Sequence, residues 1–273
     1  MMHQASKMLE KGDRKTLKAL LPRPARQWLS AALSQVRRKL LWGKVNDFSK
    51  LRRVQPYRPD FGTHWGQCID RYYIKGFLNN HKGDIHGCVL EVGHPTYTLE
   101  YGGSRVSRSD VVDLDENNPR RTITADLTNC DGIADHTYDC VVLPQTLPFI
   151  YDFDAVVRNI HRILKPGGVV LATVPGIAQL CRPDMIGGAG TDYWRFTRHS
   201  VHRMFSRYFG EADTKVTQYG NVLTAVAFLH GLVVAELTTE ELDYVDPDYE
   251  VTIAVRARKR AADLLTTDWS DKR

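Results

Sequence analysis

The stretch "YDCVVLPQTLPFIYDFDAVVRNIHRILKPGGVVLATVP", Tyr138 to Pro175, decides the fold. Its apolar, β-branched run ending at Leu143 reads as a buried strand, and a loop with Gln145 and Thr146 follows. Phe153 to Leu164 has apolar residues at helical spacing, Lys165-Pro166-Gly167-Gly168 ends that helix, and Gly168 to Val174 is a second apolar run. Strand, helix and strand in one stretch make a βαβ unit, which implies parallel strands covered on both faces.

The same alternation extends in both directions. Further strands are expected over Cys88 to Val92, Asp110 to Leu114, Arg121 to Thr124, Lys215 to Tyr219 and Val251 to Ala257, with Asp139 to Leu143 the strand of the opening stretch. Helices are expected from the Thr63 region to before Gly83, over Arg198 to Tyr208, and over Val222 to Glu236. The segment "NVLTAVAFLHGLVV", Asn221 to Val234, is apolar nearly all round, which points to burial in the core or in a homodimer interface.

Charge divides the 273 residues unevenly. Residues 1 to 60 hold fifteen Lys/Arg against four Asp/Glu, and the remainder holds twenty-two against twenty-eight. The expected organisation is a basic helical arm and linker over 1–60, a catalytic domain over 61–260 and a polar tail over 261–273. Within the arm, residues 25 to 42 read as a basic amphipathic helix suited to an anionic membrane surface, to a partner enzyme or to its own domain. A mildly acidic catalytic part argues against nucleic acid as a partner, because phosphate binding needs basic residues gathered on one face.

Five cysteines without a Cys-x-x-Cys pair indicate neither a disulfide framework nor a metal site, and fit a reducing cytoplasm. No apolar run approaches the roughly 20 residues of a membrane span, and the N-terminus does not read as a secretory signal.

In doubly wound sheets, ligands bind beyond the C-terminal strand ends, and the turn after the first strand lies nearest the cofactor. Gly93 occupies that turn. Asp113 and Asp115 stand at the spacing of a ribose-binding acid, and Asp115 is preferred because the apolar pattern Val111, Val112, Leu114 ends just before it. Asp126 follows the third strand, where it either contacts adenine or caps a turn.

The Tyr-Asp pair opening one strand and the later Leu164-Lys165-Pro166-Gly167-Gly168 element resemble the class I S-adenosylmethionine-dependent methyltransferases, over roughly Asp70 to Arg258. The resemblance implies a Rossmann-like α/β fold, a seven-stranded, mostly parallel sheet with its last strand reversed and helices on both faces. It also implies S-adenosylmethionine as cofactor. Residue by residue, Glu91 and Gly93 match the first motif, Asp115 the ribose acid, Asp126 the adenine contact and Gln145 the loop after the fourth strand.

The sequence departs from the family at "CVLEVGHPTYTLEYGG", where His94-Pro95-Thr96-Tyr97 stands in place of glycines. Proline removes a backbone donor and fixes φ, so this loop takes another path. A bacterial subfamily associated with glycan modification is similar here, with Tyr-Thr replacing the glycines. Hydroxyls and N–H groups of Thr96, Tyr97 or Thr98 are then expected at the cofactor. The helix before the first strand supplies Arg71, Tyr72 and Tyr73, which either roof the cofactor or simply pack.

Cys181 to Ser200 carries Gly187, Gly188 and Gly190 and reads as a substrate lid followed by Tyr193, Trp194 and Arg195, which suit a polar acceptor. Candidate bases are His94, Asp192 and His199. The leading expectation is O-methylation of a sugar, glycan or related small molecule. The alternative is a non-catalytic protein of the same fold that docks through its arm.

Overall fold

The computed structural model describes residues 52–182 and 192–261. The basic amphipathic helix, the three lid glycines and the C-terminal tail from Ala262 lie outside the described residues.

Seven strands form one sheet: β1 Gly87–Val92, β2 Val106–Asp113, β3 Ile123–Thr124, β4 Tyr138–Pro144, β5 Leu164–Pro175, β6 Thr214–Tyr219 and β7 Thr252–Arg258. Their order is β3-β2-β1-β4-β5-β7-β6. All pairings are parallel except those of β7, which runs against both β5 and β6. The order reverses between β1 and β4, so the crevice that such sheets use for ligands opens at the C-terminal ends of these two strands.

The described helices are α1 Ile69–Asn80, α2 Phe153–Ile163, α3 Arg198–Phe209, α4 Val222–Leu229 and α5 Thr239–Asp243. None is long and apolar enough to cross a membrane. Leu90, Val141, Leu143 and Val170 pack with Ile160 of α2 and Phe205 of α3, while Val89, Val142 and Leu171 pack with Ile74 and Phe77 of α1. Both sheet faces are therefore dry at the central strands, which is why their sequences read as unbroken apolar runs.

The Tyr-Asp and Lys-Pro-Gly-Gly elements meet at the opposite, N-terminal edge of the sheet. Asp139 Oδ2 accepts from the Cys88 N–H at 2.8 Å and from Lys165 Nζ at 2.7 Å, tying the starts of β1, β4 and β5 together. Gly87 lies at φ +65°, and a Cβ there would stand 2.3 Å from Asp139 Oδ2, so only glycine fits. These residues build the frame and do not face the crevice.

Element bounds differ from expectation: β2 runs from Val106 to Asp113 instead of Asp110 to Leu114. The third strand is shorter than Arg121 to Thr124, α1 begins at Ile69 instead of near Thr63, and the apolar helix from Val222 stops at Leu229 instead of reaching Glu236. It stops because Gly231, at φ +68°, turns the chain so tightly that a Cβ there would lie 2.2 Å from the Arg58 carbonyl oxygen. Beyond the turn, Val233 pairs with Cys68 in an isolated bridge.

Arg58, read from sequence as part of a linker, is folded onto this corner: its guanidinium holds Glu236 at 2.5 and 2.9 Å. Helix α4 is also not buried all round. Ala225, Ala227 and Phe228 pack inward, while Val222, Val226 and Leu229 are exposed at 50%, 36% and 41%.

Candidate active site

At the end of β1 the chain makes the departure anticipated from its sequence. Glu91, buried, accepts hydrogen bonds from the N–H of Tyr97 at 3.1 Å and from the N–H and hydroxyl of Thr98 at 2.8 and 2.7 Å. A single wide helical turn, Thr98–Gly102, begins there, and Glu91 satisfies donors its first residues leave open. Burial raises the Glu91 pKa, and the Thr98 and Tyr97 bonds counteract that rise. In this loop a carboxylate and a threonine do the positioning that glycines would otherwise permit.

His94 and Thr96 form a hydrogen bond to each other at the exposed tip of the loop. Gly93, at φ +70°, directs its N–H to the Val112 carbonyl at 3.0 Å and leaves open space where a side chain would stand, with Asp113 Oδ2 3.8 Å from that point.

Asp113, not Asp115, ends β2 beside Gly93. Its Oδ2 and the Gly93 carbonyl share the amide of Asn118, both at 2.6 Å. Asp115 lies exposed and closes a turn, accepting from the N–H of Asn117 at 2.9 Å and from its amide at 3.1 Å. Asp126 likewise accepts from the Thr128 N–H at 2.8 Å, the turn-capping arrangement.

On α1, only Arg71 of the three expected residues turns toward the crevice. Its guanidinium bonds the Tyr97 hydroxyl, and although burial works against its charge, Asp70 and Tyr97 hold its pKa up. Tyr72 turns the other way, donating to Asp243 at 2.7 Å, and that bond helps push its own pKa up to about 12. Tyr73 donates to the Leu242 carbonyl at 2.9 Å and stacks on Tyr219.

Arg71 opens on a cavity of about 290 Å³ at the C-terminal ends of β4 and β5. Gln145, Asp192 and Arg195 line it too. Gln145 sits at φ +51°, a strained conformation for a residue with a side chain, and its buried amide nitrogen has no hydrogen-bond partner. Thr252, also lining the cavity, has an equally orphaned hydroxyl. Buried polar atoms without partners are rare in folded chains, and here two belong to residues that line one space of ligand size.

Asp192 and Arg195 form a two-pronged ion pair at 2.6 and 2.8 Å, and Asp192 also accepts from the Cys181 N–H at 2.8 Å. Arg195 donates further to the Gln179 carbonyl at 2.6 Å, so the pair closes the stem of the expected lid. Tyr193 is exposed against Tyr151, and Trp194 packs edge-on to Phe153. His199 is exposed in the first turn of α3 and lines no part of the cavity.

Sequence reasoning passed over Asp70. It lies in the first turn of α1, where an acidic residue reads as a dipole partner, yet it lines the cavity and its side chain is 17% exposed. Burial raises its pKa, with Arg71 opposing the rise. The one signal for it in the sequence was its place beside Arg71 in "DRYY".

A family model described as "Methyltransferase domain" matches residues 94–172. Among solved structures, a SAM-dependent methyltransferase from Archaeoglobus fulgidus is 15% identical, with 69% of this chain and 94% of that chain covered and a TM-score of 0.47. An S-adenosylmethionine-dependent methyltransferase from Mesorhizobium loti is 15% identical, with 70% and 98% covered and a TM-score of 0.44. No curated protein matches the chain. The strand order is that of a Rossmann-like, mostly parallel sheet, and residues 94–172 of the chain match a methyltransferase domain.

Proposed function

We propose that the chain transfers a methyl group from S-adenosylmethionine to a hydroxyl of a neutral, polar small molecule of the sugar class. The observation that carries this reading is the charge balance of the cavity. Arg195 is paired with Asp192 and Arg71, beside Asp70, is given to the cofactor's carboxylate, so neither cation is left for the acceptor, while the lining residues with unpartnered polar atoms are Gln145 and Thr252. A carboxylate or phosphate acceptor needs an uncompensated cation. A hydroxylated neutral acceptor needs amide and hydroxyl partners, and the adjacent exposed rings of Tyr151 and Tyr193 suit the apolar face of a sugar.

On the cofactor side, Gly93 leaves room for close backbone approach, and we assign Asp113 in place of Asp115 to the ribose hydroxyls, with Asn118 giving way. Arg71 is assigned to the cofactor's carboxylate, with Tyr97 orienting it. The bound sulfonium supplies an already activated methyl group. The chain's own tasks are therefore alignment, exclusion of water and acceptance of the hydroxyl proton.

The test is calorimetric titration with S-adenosylmethionine and S-adenosylhomocysteine, followed by methyl transfer from labelled cofactor to neutral methyl glycosides and, in parallel, to nucleotide sugars. Binding with labelling of the glycosides supports the reading. Labelling of nucleotide sugars alone overturns the neutral acceptor.

A second reading, a non-catalytic interaction protein that docks through the basic arm, is favoured by one observation: Glu91 and Asp113 both spend their carboxylates on internal bonds. Absence of cofactor binding to the folded protein would select it.

A further inference from the structure

Transfer to a hydroxyl requires a group that takes its proton, and the assignment of that group rests on the methyl transfer proposed above. Among the described residues, two carboxylates, Asp70 and Asp192, and two thiols, Cys68 and Cys181, line the cavity, and no histidine does. Asp192 already accepts from three N–H donors, two of them from Arg195, whose charge it balances. Burial pushes the Cys68 thiol up to about 11 and raises Cys181 as well, so both hold their protons at neutral pH.

Asp70 differs from each of these. One of its oxygens accepts from the Arg71 N–H at 2.7 Å, and the other faces Arg71 Nε at 3.9 Å, beyond hydrogen-bond reach. Besides the Arg71 N–H, the carboxylate is reached only by its own backbone N–H, so no other residue's donor occupies the second oxygen among the described residues. The charged and titratable groups that interact with Asp70 are Arg71, Cys68 and Tyr97, and the cavity it lines is also lined by Gln145, Cys181 and the paired Asp192 and Arg195.

We propose that Asp70 is the general base of the reaction, taking the proton of the acceptor hydroxyl as that hydroxyl attacks. The acceptor O–C bond forms as the S–CH3 bond breaks. The electron pair of that bond returns to sulfur, leaving a neutral thioether, and the hydroxyl proton moves to the Asp70 carboxylate. Burial, which raises the pKa of this group, also makes it a better base than a solvated carboxylate. Sequence reasoning placed this role on His94, Asp192 or His199.

The role fixes a geometry that is testable without knowing the acceptor, because the base must face the position of the transferring methyl group. Sinefungin is a cofactor analogue with an amino group in that position, and S-adenosylhomocysteine has nothing there. Both are titrated into wild-type protein and into Asp70→Asn, which keeps shape and removes charge, between pH 5 and 8.

The expected result is that the substitution weakens sinefungin by about tenfold or more while S-adenosylhomocysteine changes by less than about twofold. Wild-type sinefungin affinity also rises as Asp70 ionises, and that rise is absent from the variant. Asp70→Glu restores part of the preference. Equal loss of both ligands would make Asp70 a support for Arg71, and loss of neither would place it away from the methyl group; either overturns the proposal. If wild-type protein binds neither ligand, the functional reading itself falls.

Discussion

Glu91 and Thr98 are joined twice, the carboxylate accepting both the N–H and the hydroxyl of the threonine, and this pair replaces the glycine-rich turn of the fold. A glycine loop lets the backbone approach a ligand because it lacks side chains. Here Pro95 stiffens the loop, and its course is set by donors converging on one buried carboxylate.

Glu91→Ala would strand the N–H groups of Tyr97 and Thr98 and the threonine hydroxyl, at a cost of about 2–4 kcal/mol of stability. Thr98→Val removes only the hydroxyl bond and costs about 1 kcal/mol. Urea denaturation measures both. Because the loop borders the proposed cofactor site, S-adenosylhomocysteine affinity is expected to fall in Glu91→Ala even at temperatures where the variant is folded.

Asp113 and Asp115 make opposite predictions. Asp113→Ala removes the carboxylate beside Gly93 and is expected to weaken cofactor binding by about tenfold or more, the scale of a hydrogen bond to a charged group. Asp115→Ala unties an exposed turn and is expected to change affinity by less than about 0.5 kcal/mol. Calorimetry on the two variants decides between them, and the reverse order would restore the assignment made from the apolar pattern.

The choice between these two aspartates turns on where the second strand ends. The central strands were legible because burial on both faces leaves continuous apolar runs. At the end of β2 the same rule misled: Leu114 looks like a strand residue but is 64% exposed, and the ladder with β3 ends at Asp113. Asp70 was illegible for another reason. Nothing local separates a helix-dipole aspartate from one that lines a cavity; only the placement of α1 over the ends of β4 and β5 does. The true end of α4 depended on Gly231 meeting Arg58, a contact across more than half the chain.

Arg195 and Asp192 hold the stem of the expected lid, with the carboxylate 6% exposed. Arg195→Ala leaves that charge without its partner and is expected to cost about 3–5 kcal/mol, whereas the double variant with Asp192→Ala recovers part of the loss. A double-mutant cycle in urea reads the coupling. Simple addition of the two single effects would show that the pair is not coupled.

At the other edge of the sheet, Asp139 gives the fold an acid sensitivity. Burial opposes its ionisation, but the bonds from Lys165 and from the Cys88 N–H outweigh that and hold its pKa below the ordinary value. A depressed carboxylate stabilises the fold above its unfolded pKa, and that contribution drains away as pH falls through the folded one. Asp139→Asn is therefore expected to cost about 1–2 kcal/mol at pH 7 and progressively less toward pH 3, a convergence measured by denaturation across that range.

Asp70 has the opposite sign, and this separates its role in the site from its role in the fold. Its folded pKa is raised, so as pH climbs through the ordinary carboxylate range the unfolded chain ionises while the folded chain resists, and stability falls. Asp70→Asn removes the charge the interior disfavours. The variant is thus expected to melt at a higher temperature than wild type at pH 7, with the gap closing near pH 4, although it has lost the proposed base. Thermal unfolding at the two pH values measures this. A group kept only for stability would give a lower midpoint at neutral pH. A higher one would mean that the fold tolerates a buried carboxylate at a cost in stability, as expected of a residue retained for chemistry at the mouth of a methyl-transfer site.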